Sequence, residues 1–260
     1  MIEVYEKFKQ HRVVRRKEIL HFFSGNVEKT NGSIRWLVAS GKAQRIKPGL
    51  LYLRQPNEWG NTDVSISPWL IAAQSVKGAA IAFHSAMAIR GEAYSESSEV
   101  QIAVSLENKR IPSSFTYQGM TYRYFRENLD FGVAKKVVDN VKVKVLDPER
   151  TVLEGLKHSD RYMGMDELLK SLEGVKWLDL SKLMLYLDSY YVSNSMEMRL
   201  GWLLEQKQDE WHVKPEKLKR MQQNRPLDPV YLISSKRSGN YRDSKWNLMI
   251  PKQLRNRRDY

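Results

Sequence analysis

The side chains best placed for chemistry in this sequence suit contact with nucleic acid. Asn31, Ser33, Arg35 and Trp36 crowd into one short stretch, TNGSIRWLVASG. Asparagine can pair with adenine and arginine with guanine, each pairing worth about 1–3 kcal/mol of discrimination. Arg16 and Lys17 follow Val13-Val14 at the start of a predicted helix, where backbone N–H groups and positive charge suit a phosphate. Arg45 and Lys47 stand where a short hairpin would bring them to the DNA backbone or minor groove. A second basic group, Lys236, Arg237, Arg242 and Lys245, lies in SSKRSGNYRDSK, after a stretch carrying Lys217, Lys219 and Arg220. The competing reading of both groups is a solvated charged face, and Trp36 equally suits packing against the hairpin.

Bond-making chemistry finds less support. The chain has no cysteine, which excludes thiol nucleophiles, disulfide scaffolds and cysteine-ligated metals. Its five histidines, His11, His21, His84, His158 and His212, show no metal-ligand spacing. His84-Ser85 lacks the flanking glycines of a nucleophile elbow, so Ser85 reads as a helix cap. Neither GxxxxGK[ST] nor GxGxxG occurs. Asp147, Glu149 and Arg150 open a helix, where capping and dipole complementarity account for them. Asp63, Glu99 and Glu107 lack the partnered lysine of a nuclease core, although Glu107-Asn108-Lys109 comes near it, and a nuclease delivered by a DNA-binding domain is the rival reading. The expectation is a non-enzymatic protein without cofactor or metal.

The elements that would position these residues follow from periodicity. Ile2, Tyr5 and Phe8 make a first helix; Ile19, Leu20 and Phe23 a second. Ile34, Leu37 and Val38 make a third, capped by Thr30 or Asn31 and stopped at Gly41. Residues 43–46 and 50–53 then flank Lys47-Pro48-Gly49 as a hairpin. Three short helices and a hairpin form the order of a winged helix-turn-helix, whose third helix enters the major groove. The polar stretch 55–68 reads as a linker. Beyond it, helices at 68–75 and 85–90, a strand at 100–105, and hairpins turning on Gln118-Gly119 and Asp139-Asn140 are predicted. Helices at 148 onward, 165–172, 180–190, 195–206 and 215–223 follow, then short strands at 230–233 and 246–250 around the basic loop. The fold class expected is α+β: a winged helix at 1–56, a linker at 57–68, a mixed α/β domain at 69–254, and a tail at 255–260.

The 260 residues carry a net charge of +13. Residues 1–56 hold 12 Lys+Arg against 4 Asp+Glu and residues 213–260 hold 13 against 4, whereas 57–156 hold 11 against 12 and 157–212 hold 7 against 10. Basic ends on a neutral to acidic middle point to a polyanion gripped by two surfaces. A protein-binding module using the acidic middle is a further possibility. No run approaches the ~18 apolar residues of a membrane span, and the opening MIEVYEKFKQ lacks a signal-peptide core, so a cytoplasmic protein with no membrane partner is expected.

The sequence resembles the AbiEi-type antitoxins, the transcriptional regulators of type IV toxin–antitoxin systems. The likeness rests on LVASGKAQRIKPGLLYL, AFHSAMAIRG, VKVLDPERTVLEGL, MEMRLGWLLE and SKWNLMIP, in that order along the chain. It implies a winged-helix DNA-binding domain joined to a mixed α/β domain. It also implies repression of the chain's own operon through inverted repeats in promoter double-stranded DNA. The partner it implies is a nucleotidyltransferase-like toxin neutralised without a stable complex; a stand-alone regulator without a toxin is also compatible. One departure is Lys47-Pro48-Gly49, where the family's wing often has Arg-Gly before its aromatic.

Overall fold

The computed structural model describes residues 2–61 and 64–254; Asp63 and the expected tail lie outside the described residues. The chain is a mixed α and β protein folded as two compact units. The first comprises Met1–Ala82 and Ser97–Val145, the second Phe83–Glu96 and Leu146–Tyr260.

The first unit opens with α1 (Ile2–Phe8), β1 (Val13–Arg15), α2 (Arg16–Phe22), α3 (Val27–Ala39), β2 (Ala43–Lys47) and β3 (Leu50–Leu53). The three expected helices and the hairpin are present. Val13–Arg15 adds a strand that periodicity did not reveal, because three residues carry too little pattern. It pairs antiparallel with β3, giving a sheet of order β1-β3-β2. Helix α3 starts earlier than expected. Its cap is Asn26, whose side chain accepts from the Lys29 N–H at 2.9 Å, so Thr30 and Asn31 lie within the helix. It ends as expected: Gly41, at φ +70°, lets the Lys42 N–H reach the Leu37 carbonyl.

Strand β3 is buried along its whole length. Leu51 and Leu53 join Val4, Tyr5, Phe8, Val14, Ile19, Ile34 and Leu37 in one apolar cluster. By the alternation of a strand, Leu50 and Tyr52 face the other way. There the Tyr52 hydroxyl donates to Glu58 at 2.8 Å beside Arg12, and burial pushes its pKa up to about 12. Part of the stretch expected as a linker is docked. Val64 and Ile66 are buried, and the Gln118 side chain donates to the Val64 carbonyl and accepts from the Ile66 N–H.

The unit continues with α4 (Pro68–Ser75), β4 (Ala80–Ile81), β5 (Glu99–Ser105), β6 (Ser114–Tyr117), β7 (Met120–Glu127), β8 (Val133–Val138) and β9 (Val141–Leu146). The strands form a six-stranded sheet of order β6-β7-β5-β4-β9-β8, with β5 parallel to β7 and β4 parallel to β9. Both expected hairpins form. Gln118-Gly119 and Asp139-Asn140 all adopt positive φ, as tight two-residue turns require.

The second unit holds α5 (Phe83–Arg90), α6 (Pro148–Lys157), α7 (Met165–Ser171), α8 (Leu180–Tyr190), α9 (Asn194–Gln206) and α10 (Pro215–Gln223), with β10 (Val230–Tyr231), β11 (Asn240–Asp243) and β12 (Leu248–Pro251). The basic stretch expected as a loop contains β11, which pairs antiparallel with β12. Asp147 caps α6 by accepting from the Arg150 N–H at 2.9 Å, as expected. Lys182 bridges Asp147 and Glu149 at 2.8 and 2.9 Å; burial alone would lower its pKa, but these two carboxylates raise it above the usual lysine range. Among the described residues no helix is long and apolar enough to cross a membrane.

Two glycines differ in what a methyl group would meet. A Cβ on Gly201 of α9 would collide with the fully buried Trp246 indole, whereas one on Gly32 of α3 would stand in open space. A buried indole cannot step aside cheaply, so Gly201→Ala is expected to destabilise the protein by about 1–3 kcal/mol. Gly32→Ala is expected to stabilise it by about 0.5–1 kcal/mol, because alanine loses less backbone entropy in a helix. Urea unfolding of the two variants against the parent measures both signs.

Candidate nucleic-acid interface

Helix α3 has two unlike faces. Thr30, Ser33, Ile34 and Leu37 are buried, and Trp36 is half-buried against the same apolar cluster as Phe22, Phe23 and Val38. Glu28, Asn31, Arg35 and Ala39 are exposed, at the spacing of one helical stripe. Ser33, expected to be exposed, is only 2% accessible and cannot meet a base. The reason is helical phase: Ser33 stands three residues after buried Thr30 and four before buried Leu37, on the core side. Trp36 likewise serves packing.

Arg16 and Asn31 are brought together. The Arg16 guanidinium donates from Nε and Nη2 to Asn31 Oδ1 at 3.2 and 3.0 Å, tying α2 to α3. Asn31 therefore keeps its amide N–H groups for an outside acceptor while its carbonyl is engaged. Arg35, one turn further along the stripe, has no ion-pair or hydrogen-bond partner among the described residues. Lys17 is exposed and equally unpartnered there.

The start of α2 is not an open phosphate site. Glu18 reaches back to accept from the Arg15 N–H at 2.8 Å and also binds the Arg15 guanidinium at 2.5 Å. The Arg16 N–H is taken by the Gly49 carbonyl at 2.8 Å. A carboxylate thus already complements the helix dipole.

On the β2–β3 hairpin the two expected contacts part company. A register shift between Arg45 and Lys47 lets neighbouring side chains leave the strand in different directions. Arg45 is exposed and unpartnered among the described residues. Lys47 turns onto the six-stranded sheet. Its ammonium lies 3.8 Å from the centre of the Phe115 ring and 2.9 Å from the Tyr124 hydroxyl. Burial pulls its pKa down to about 8. Gln44 on the same strand donates to the Tyr117 hydroxyl at 2.5 Å. Lys47 is thus a clamp between hairpin and sheet, which sequence could not show because its partners stand far along the chain.

The C-terminal cations lie in the second unit and are engaged there. Lys236 donates to Gln253 at 2.8 Å, Arg237 stacks 4.3 Å over the Tyr231 ring, Arg242 holds Asn247 Oδ1 at 3.0 and 2.8 Å, and Lys245 pairs with Glu205. The histidine weighed for catalysis is also engaged. His84 binds Glu167 at 3.2 Å, and Glu167 further accepts from Ser95 N–H, Ser95 Oγ and Ser171 Oγ. Burial favours the neutral acid at Glu167, yet these donors outweigh it and hold the pKa below the usual carboxylate value. Among the described residues no three metal-ligating side chains converge.

The sequence matches no family model and no curated protein. Its fold is similar to that in the crystal structure of the RV2827C protein from Mycobacterium tuberculosis. The TM-score is 0.60, the identity 17%, and the match covers 95% of this chain and 89% of that one.

The Lys47 clamp has a pH signature. With its pKa near 8 in the fold and an ordinary lysine value of 10.5 when unfolded, the unfolded chain holds the extra proton between these values. Stability contributed at this site therefore rises from about pH 8 toward pH 10. Lys47→Met keeps an apolar contact with Phe115 and removes the proton. The difference between parent and variant in urea unfolding, followed from about pH 7.5 to 10, is expected to grow in the parent's favour as pH increases.

Proposed function

We propose that this chain is a DNA-binding transcription regulator whose α3 enters the major groove. The observation that carries the reading is the exposed polar stripe of α3, with Arg35 unpartnered among the described residues and the Asn31 amide N–H groups unengaged, opposite a buried face. The order helix, strand, helix, helix, hairpin supports a winged helix-turn-helix, in which such a stripe meets base edges. Arg35 supplies the bidentate fork suited to guanine O6 and N7. The Asn31 amide N–H groups suit a base acceptor, with Arg16 fixing the side chain from behind. Lys17 and Arg45 suit phosphates on either side of the groove. Lys236, Arg237, Arg242 and Lys245 are secondary candidates, since each must leave a partner first.

The AbiEi-like motifs extend this reading to an antitoxin of a type IV system that represses its own promoter and counters a nucleotidyltransferase-like toxin. Restored growth on co-expression with a neighbouring toxin of that class supports the extension; continued arrest removes it.

Fluorescence anisotropy with the chain's own upstream duplex and a scrambled duplex tests the main reading. Arg35→Ala is expected to weaken upstream binding by roughly 5- to 150-fold, the equivalent of 1–3 kcal/mol, with little change on the scrambled duplex. Ser33→Ala is expected to leave the ratio of the two affinities unchanged. Equal loss on both duplexes in Arg35→Ala would take Arg35 out of base recognition.

A further inference from the structure

The stretch 57–156 is nearly neutral in sum, yet its charges are sorted in the fold. The hairpin of β8 and β9 holds Lys135, Lys136, Lys142 and Lys144 against the single acid Asp139. Asp139 and Asn140, at φ 46° and 64°, form its two-residue turn. Such a turn pairs Val138 with Val141, and so sets Lys135 directly opposite Lys144 and Val137 opposite Lys142. Directly opposed residues share a face of the sheet. On β9 the alternation is clear: Val143 and Val145 are buried, Lys142 and Lys144 exposed. Lys135, Lys142 and Lys144 therefore stand on one exposed face. Neighbours along a strand face are about 7 Å apart and opposed residues about 5 Å apart.

These ammonium groups are unused. All four lysines are exposed, and none has an ion-pair or hydrogen-bond partner among the described residues. Like charges directly opposed across a ladder weaken it. Lysines on an edge strand do blunt edge-to-edge association, and β8 is an edge. That account covers Lys135 and Lys136. Lys142 and Lys144 lie on β9, one strand in from the edge and beyond its pairing with the two-residue β4 at Val145; guarding an edge accounts for single lysines there but calls for no face that carries three together.

We propose that the Lys135, Lys142 and Lys144 face of the β8–β9 hairpin is a second nucleic-acid surface that grips the phosphate backbone of duplex DNA. The inference rests on the reading of α3 as the base-reading element, which belongs to the same unit. Charge complementarity names the occupant: closely spaced cations without a counter-ion match a regularly charged phosphate chain. The residue type sets the role. Lysine is a mobile point charge without the planar fork that reads bases, so this face adds affinity without sequence preference, whereas Arg35 adds preference.

The test uses the full-length protein carrying Lys135→Gln, Lys142→Gln and Lys144→Gln together. Anisotropy is measured on the upstream and scrambled duplexes across salt concentrations, beside the parent and Arg35→Ala. All three positions are exposed, so an unchanged unfolding midpoint is expected. Removing three lysine–phosphate pairings should shrink the log–log salt slope by about 2.7, and both affinities should fall together by roughly tenfold or more at low salt. The corresponding triple Lys→Arg variant should keep the parent slope. A triple Gln variant with the parent slope and affinities, while Arg35→Ala still loses upstream binding, overturns this inference and leaves the α3 reading standing. A parent that binds neither duplex overturns both. Loss on the upstream duplex alone also overturns it, since a backbone grip cannot discriminate sequence.

Discussion

Both faces of β3 are covered, and the arrangement of the first unit depends on it. Leu50, Leu51, Tyr52 and Leu53 are each at most 2% accessible, a continuous buried run in a short strand. A strand buried on one face alternates apolar and polar; one buried on both cannot. Leu51 and Leu53 therefore anchor the helices of the apolar cluster, while Tyr52, on the other face, binds Glu58 beside Arg12. Fully burying such side chains contributes about 1.5–3 kcal/mol each, more than the hairpin's own hydrogen bonds supply. Helix α3 takes its orientation from this cluster, through Ile34 and Leu37, and its polar stripe is outermost as a result.

The second consequence is that residues 2–54 do not stand apart from the sheet. Lys47 on Phe115 and Tyr124, Gln44 on Tyr117, and Gln118 on the backbone of Val64 and Ile66 join the small sheet to the six-stranded one. Each contact is modest alone. Together they make one compact unit of stretches that a polar run at 55–68 suggested were separate.

Free charge, more than charge itself, separates surface from scaffold in this molecule. Arg12, Arg15, Arg16, Arg242 and Lys245 all have specific partners, and Lys182 sits between two carboxylates. Arg35, Arg45, Lys17 and the lysines of β8–β9 do not, among the described residues. An engaged cation must leave its partner before meeting a phosphate, whereas an unengaged one gives up only water and counter-ions. Charge summed by segment puts the weight on the two ends and passes over β8–β9, because Lys135, Lys136, Lys142 and Lys144 are averaged with acids that lie elsewhere in the fold.

Much of the architecture was legible in the sequence, where the signal is local. The turn residues Gln118-Gly119 and Asp139-Asn140 announce their hairpins, because they tolerate the left-handed backbone that tight turns demand. Asp147-Pro148 announces α6, and Gly41 ends α3, for reasons contained within a few residues. Strand β1 and the start of α3 were not legible: the first is too short for periodicity, and the cap at Asn26 follows a glycine that reads as a break. Sequence could also show which residues were capable of meeting DNA, since that is a property of side-chain type. Only the tertiary structure decided which of them are free to do so. Ser33 is lost to the core by helical phase, Lys47 to an aromatic partner on another sheet, and the C-terminal cations to partners such as Glu205 and Asn247. Burial and pairing are set by residues distant in sequence and close in space, and no spacing along the chain encodes them.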